Sequence, residues 1–193
     1  MQKAVKGFVV LVATMALWAP PVRAAEGFSS SADEGTWGTE IAADTGRAGR
    51  VLAVAVSGGT VYLGGDFQAM SPPGSKDTAA LVERQHLAAL GDHGTTLADW
   101  NPNADKEVRA LLAAPDGRRI YAGGTFSRIA GTTQSRLAAL DPATGALDTT
   151  FRPPKPDAVV RALALSPDGS VLYVGGDFSQ LTAADGTVET RPH

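Results

Sequence analysis

The sequence predicts an all-β fold made of β-propeller repeats, with blades of four antiparallel strands. Three observations carry this. Three segments superpose: VLAVAVSGGTVYLGGDF at Val51–Phe67, VRALLAAPDGRRIYAGGTF at Val108–Phe126 and VRALALSPDGSVLYVGGDF at Val160–Phe178. Scarce residues fall on the same lattice in each: Tyr62, Tyr121 and Tyr173; the pairs Gly64–Gly65, Gly123–Gly124 and Gly175–Gly176; and Phe67, Phe126 and Phe178. The later half repeats as well, with LAAL at Leu87–Leu90 returning at Leu137–Leu140, Leu97 as Leu147 and Trp100 as Phe151. Four short apolar runs in a period of about 50 residues are the pattern of a propeller blade. A β-sandwich is the runner-up, but it would not need the same aromatic in every hairpin.

Taken in order, residues 1–24 read as a secretory signal. Lys3 and Lys6 precede an apolar run from Gly7 to Ala19, Pro20 and Pro21 stop it, and Val22 and Ala24 are small residues placed for cleavage after Ala24. A membrane span needs about 20 apolar residues, and this run is shorter. Removing 24 of the 193 residues leaves 169; without Lys3, Lys6 and Arg23 the basic residues fall from 17 to 14 against 20 acids, a net charge of −6. The expected location is extracellular, with no membrane span and no nucleic-acid partner. The chain has no Cys, which excludes a disulfide scaffold, thiolate metal ligands and a Cys nucleophile. Residues 25–50 form an N-terminal segment, with two readings: Trp37–Ile41 as one strand, the fourth of a blade, or a disordered segment, because Ser29, Ser30, Ser31, Asp33 and Glu34 are polar and turn-prone.

The first run of each repeat, VLAVAV and its copies, is apolar nearly throughout, as expected of a strand buried on both faces between neighbouring blades. A turn follows, Ser-Gly-Gly or Pro-Asp-Gly, and a second run ends in Gly-Gly-x-Phe, which makes a hairpin. Paired glycines inside a strand mark close approach of another backbone. The Phe after them is expected to fill space between blades. LAAL favours helix by propensity, but about six residues are too few, so it is assigned to a strand. Asp-Pro-Ala-Thr-Gly at 141–145 then turns the chain into a fourth run ending at Trp100 or Phe151. The expected divisions are blade one at 51–107, blade two at 108–159 and a partial blade three at 160–193.

Val-Arg-Ala-Leu, Ser-Pro-Asp-Gly, Tyr-Val-Gly-Gly-Asp-Phe, Arg-Leu-Ala-Ala-Leu-Asp and Trp-Asn-Pro-Asn together resemble the delta-60 type propeller repeat over about Val51 to Phe178. The resemblance implies a propeller in a secreted or cell-surface bacterial protein, many such proteins being from Actinobacteria. It implies no activity, since that repeat carries no catalytic motif. About two and a half blades are present against the 4–8 of closed rings, so an incomplete ring with exposed blade faces is expected, and with it self-association or marginal stability. A truncated reading frame would explain the count.

The chemistry-bearing residues are few. The GGDF around Asp66 and Asp177 is structural rather than cyclase-like, because it recurs in the repeat and Thr125 replaces the Asp in blade two. His86 and His93 read as a surface and a turn histidine rather than a metal pair, and His193 is on no matching repeat position. Calcium at the Asp turns lacks the dense alternating acids of a calcium loop. No catalytic, cofactor or metal site is expected. The long loop of blade one, with Lys76, Asp77 and Glu83, is the candidate contact site, because loops on a rigid scaffold carry binding. The favoured function is a non-enzymatic binding or scaffold module contacting protein or glycan. The alternatives are a fragment of an extracellular propeller hydrolase or lyase whose site lies in other blades, and a nonfunctional fragment.

Overall fold

The computed structural model describes residues 38–40, 49–72, 78–91 and 94–190. The expected signal, Trp37, Ile41, Lys76, Asp77, His93 and His193 lie outside them. Sixteen strands follow one another: β1 (Gly38–Glu40), β2 (Arg50–Ser57), β3 (Thr60–Asp66), β4 (Ala69–Ser71), β5 (Val82–Glu83), β6 (Leu87–Leu90), β7 (Val108–Ala113), β8 (Ile120–Gly124), β9 (Arg128–Ile129), β10 (Thr132–Thr133), β11 (Leu137–Leu140), β12 (Lys155–Pro156), β13 (Val160–Leu165), β14 (Leu172–Gly176), β15 (Gln180–Thr182) and β16 (Val188–Thr190). A short 3-10 turn at Thr78–Ala80 interrupts them, and the described residues hold no α-helix. Both LAAL segments are strands.

The architecture is a β-propeller whose ring is not closed. Blade one is the sheet β2–β3–β6, blade two is β7–β8–β11 and blade three is the hairpin β13–β14, all antiparallel. The fourth strand of each complete blade is reduced to a single bridge, Leu90 to Thr96 and Leu140 to Leu147. Backbone bonds from Leu97 to the Ala89 carbonyl and from Asp148 to the Ala139 carbonyl hold that segment beside the third strand. The carboxylate of Asp141 accepts from the backbone N–H groups of Ala143 and Thr144, and the Asp148 carboxylate accepts from that of Thr150.

The segments after Gly-Gly-x-Phe are more ordered than the sequence indicates. They form small accessory sheets outside the blades: β1–β4–β5, β9–β10 and β12–β15–β16. Ala104 bridges Ile129 as Thr39 pairs Met70 and Pro156 pairs Leu181. The strand expected near Trp37–Ile41 is therefore Gly38–Glu40, and it joins the accessory sheet of blade one rather than standing as the outer strand of another blade.

The glycine pair has two jobs. A Cβ on Gly65, Gly124 or Gly176 would run into a main-chain carbonyl of its own hairpin: Arg50, Glu107 or Val159. Each lies beside the register shift between Val51 and Ala53, Val108 and Ala110, or Val160 and Ala162, where the inner strand bulges toward its partner. The first glycine of the pair makes room for the next blade instead. A Cβ on Gly64 would stand 2.8 Å from Val108 Cγ1, and one on Gly123 would stand 2.5 Å from Val160 Cγ1.

Aromatics close the blade junction. Tyr62 and Trp100 pack edge to face with ring centres 5.0 Å apart. The Tyr62 hydroxyl donates to the Pro142 carbonyl at 2.9 Å, and Trp100 Nε1 donates to the Asp141 carbonyl at 3.1 Å. Both reach from blade one to the Asp-Pro turn of blade two. Tyr121 and Phe151 repeat the ring pair at 5.3 Å. Phe67 and Phe126 are fully buried, Phe126 in the core between blades one and two with Leu87, Val108 and Ile129.

Two expectations are corrected at the sides of the array. The VLAVAV run is not buried on both faces: Val51 is 41% exposed, while its register equivalents Val108 and Val160 are fully buried. Tyr173 is 59% exposed, against 2% for Tyr62. The cause is common to both. Val108 and Val160 have a preceding blade to pack on and Tyr62 has a following one, whereas no described residue supplies a blade beside Val51 or Tyr173.

Candidate functional site

The bulged ends of the inner hairpins bring charged side chains together at one mouth of the blade array. Arg50 begins β2, Asp66 ends β3, Glu107 and Arg109 flank Val108, and Arg161 and Asp177 belong to blade three. Arg50 Nη2 lies 2.8 Å from Asp66 Oδ2 and 3.9 Å from Glu107 Oε1, linking blades one and two. Glu107 also pairs with Arg109. Arg161 grips Asp177 with two bonds, Nε to Oδ1 at 2.7 Å and Nη2 to Oδ2 at 2.6 Å. The result is a row of alternating charge across three blades. Thr125 stands in blade two where Asp66 and Asp177 stand in the others, and Glu107 supplies the carboxylate there.

A cleft of about 360 Å³ opens among these groups, lined by Asp66, His86, Asp105, Glu107, Arg109 and Thr125, with Lys106 at its edge. Partial burial works against the charge of Asp105, but the Ser127 hydroxyl and the backbone N–H groups of Arg128 and Ser127 outweigh it and keep the group below the usual carboxylate range. The hydrogen bond and charge of Asp66 raise the Arg50 guanidinium above its ordinary value. Fixed donors and acceptors at this spacing suit polar or charged ligand groups. Among the described residues, no group of three or more His, Asp or Glu is arranged to hold a metal ion.

His86 is not the surface histidine expected. It is nearly buried, its backbone is left-handed at φ 64°, and Nδ1 lies 3.2 Å from the Gly65 carbonyl. Arg136 holds the same place before the second LAAL, also left-handed at φ 62°, but its longer side chain reaches the Pro156 carbonyl at the next accessory sheet. A left-handed residue here lets the chain donate to the Phe67 or Phe126 carbonyl just before entering the strand. That requirement turns the His86 ring inward.

Of Lys76, Asp77 and Glu83 in the candidate contact loop, only Glu83 is described. It is exposed on β5, and its carboxylate accepts from Gln85 Nε2 at 2.8 Å, away from the charged row. Of the structural repeat residues, Gly64 faces Val108 and Gly123 faces Val160 across the blade junctions, Tyr62, Phe67, Trp100, Tyr121 and Phe126 are buried, Phe151 and Phe178 are half-buried, Gly65, Gly124 and Gly176 stand against their own hairpins, and Tyr173 and Gly175 are exposed. Sequence reasoning missed Asp105 and its equivalent Asp157. Each accepts from the backbone and hydroxyl of the Ser after Gly-Gly-x-Phe and from the next backbone N–H: Ser127 and Arg128 for Asp105, Ser179 and Gln180 for Asp157. The signal was available, since both aspartates stand three residues before the Val of Val-Arg.

Comparison with known proteins points to the same architecture. Residues 114–151 match the family model "Domain of unknown function (DUF5122) beta-propeller". No curated protein matches the chain. Similar solved structures include a chain of the mitotic checkpoint complex, at 18% identity and TM-score 0.39, covering 74% of this chain and 38% of that one. Hydrazine synthase of Kuenenia stuttgartiensis matches at 13% identity and TM-score 0.37, over 73% of this chain and 48% of that one. The computationally designed Ika4 protein matches at 17% identity and TM-score 0.33, over 75% and 92%. This chain thus spans less than half the length of the first two. Among the described residues no helix is long and apolar enough to cross a membrane. The repeat lattice, the antiparallel blades and the matched segment together identify a β-propeller repeat fold.

Proposed function

We propose that the chain is a binding or scaffold module of an exported protein, of the delta-60 repeat type, which contacts a protein or glycan through the charged mouth of its blades. The observation that supports this reading is the row Arg50–Asp66, Glu107–Arg109 and Arg161–Asp177, of which Asp66, Glu107 and Arg109 line a cleft of about 360 Å³. Guanidinium and carboxylate groups held by neighbouring strands present donors and acceptors in fixed directions, and binding to such a surface loses little side-chain entropy. The blades serve as the frame, and ligand choice falls to the groups at their bulged ends.

The test is a binding screen of the full chain against bacterial cell-wall glycans and secreted proteins, with hydrolase and lyase assays on every ligand retained. Arg109→Ala and Lys106→Ala should weaken a true ligand at least about tenfold, the loss of roughly one charge-assisted contact. A ligand indifferent to both variants, or one that is cleaved, would sink the reading. Export is tested by expressing the full chain in a bacterial host and determining the N-terminus of the secreted product. Cleavage after Ala24 is expected, and retention of residues 1–24 would refute it.

A further inference from the structure

Inside the chain, one blade-to-blade contact occurs twice. Val108 seats over Gly64 and Val160 over Gly123, each β-branched side chain filling the notch that a missing Cβ leaves. The glycine-bearing faces also carry Tyr62 and Tyr121, both buried by the blade that follows. The two halves of this contact recur on opposite sides of the same molecule, with no blade of the described residues packed on them. On one side Val51 stands exposed, with Val54 and Val56 beside it on β2, 55% and 62% exposed. On the other, Tyr173 is exposed, and a Cβ on Gly175 would meet nothing closer than Ala162 Cβ at 3.7 Å.

Charge agrees with shape. Within the chain, Arg50 Nη2 lies within 4 Å of both Asp66 and Glu107, so the end of one hairpin and the start of the next blade are close neighbours. Register places Arg50 of blade one where Glu107 stands in blade two. A further junction of this kind would therefore bring Arg50 up to Asp177 and its Arg161 partner, opposite in charge to the carboxylate it faces.

We propose that a second copy of this chain docks head to tail on the first, with its β2 face on the β13–β14 face, Val51 over Gly175 and Arg50 beside Asp177. Such a contact is heterologous, so each copy keeps one free half until the ring closes. The described residues of two copies carry six inner hairpins, within the roughly 4–8 blades of closed propellers.

Sedimentation velocity and light scattering on the full chain across a concentration series test this. A species of twice the chain mass, or larger assemblies that grow with concentration, is expected. Val54→Lys should block one face and Tyr173→Lys the other, each weakening association at least about tenfold. Mixing the two variants should restore a one-to-one pair, because one intact junction can then form. Gly175→Ala should weaken association while leaving the circular dichroism unchanged, since that methyl has room in the single chain. A monomer at every concentration would overturn the proposal, as would a mixture that fails to pair. Loss on Val54→Lys but not on Tyr173→Lys would also overturn it, by indicating a symmetric contact of β2 with β2.

Discussion

Gly64, Gly123 and Gly175 occupy one position of the repeat, yet the same substitution should have opposite effects on them. Gly123→Ala places a methyl 2.5 Å from Val160 Cγ1 and 3.1 Å from Val160 Cβ. Val160 is fully buried and stiff at χ1, so it cannot swing aside, and blade three must shift as a body. Overpacking of this kind costs about 1–3 kcal/mol. Gly64→Ala meets Val108 Cγ1 at 2.8 Å and Leu111 at 3.2 Å and belongs in the same range. Gly175→Ala meets only Ala162 Cβ at 3.7 Å, an ordinary contact, and Gly175 has no positive φ to defend. There the methyl mainly restricts the unfolded chain, a gain of about 0.4–1 kcal/mol. The assay is thermal and urea unfolding at concentrations too low for association. For a chain of this size about 1 kcal/mol moves Tm by roughly 2–4 °C, so Gly123→Ala should melt lower by about 2–12 °C and Gly175→Ala slightly higher. Equal shifts at all three positions would refute the assignment of the first glycine to the blade junction.

Three more outcomes follow from the packing and the charges. Phe126→Ala empties a fully buried site in the core between blades one and two and should cost about 3–5 kcal/mol in urea unfolding; a loss under about 1 kcal/mol would remove it from that core. Asp105→Ala strips the acceptor from the Ser127 and Arg128 backbone donors and should cost about 1–2 kcal/mol, with faster hydrogen exchange at those two amides as its signature. Bonds from Thr150, with help from Arg119, hold the Asp148 carboxyl at about 2, below its ordinary 3.8. A group depressed in the folded state adds stability above the unfolded value and loses it as pH falls through the folded one. Stability should therefore decline between about pH 4 and pH 2, and Asp148→Asn should flatten that decline; an unchanged acid limb would contradict the assignment.

Much of this fold is a local matter, and to that extent the sequence alone determines it. Turn residues and apolar run lengths settle where the hairpins turn. Pro-Asp-Gly at 115–117 and 167–169 folds with Asp116 and Asp168 bonding backbone N–H groups two residues on, which needs no distant partner. The repeat lattice gives the blades, because the same residues at one period fold into the same local strand-turn-strand unit each time. Tertiary structure alone decides what surrounds each copy. Tyr62 and Tyr173 are the same letter in the same pattern, and only the presence of a following blade buries one and exposes the other. Likewise His86 is buried because folding sets its ring against the Gly65 carbonyl, and Glu107 becomes part of a charged mouth because adjoining blades bring it within 3.9 Å of Arg50. The Gly-Gly pairs could be read as close approach, but which glycine yields to its own hairpin and which to the neighbouring blade depends on atoms far apart in the chain. Short-range chemistry is written in the order of residues, whereas burial and charge pairing are properties of neighbours that only folding supplies.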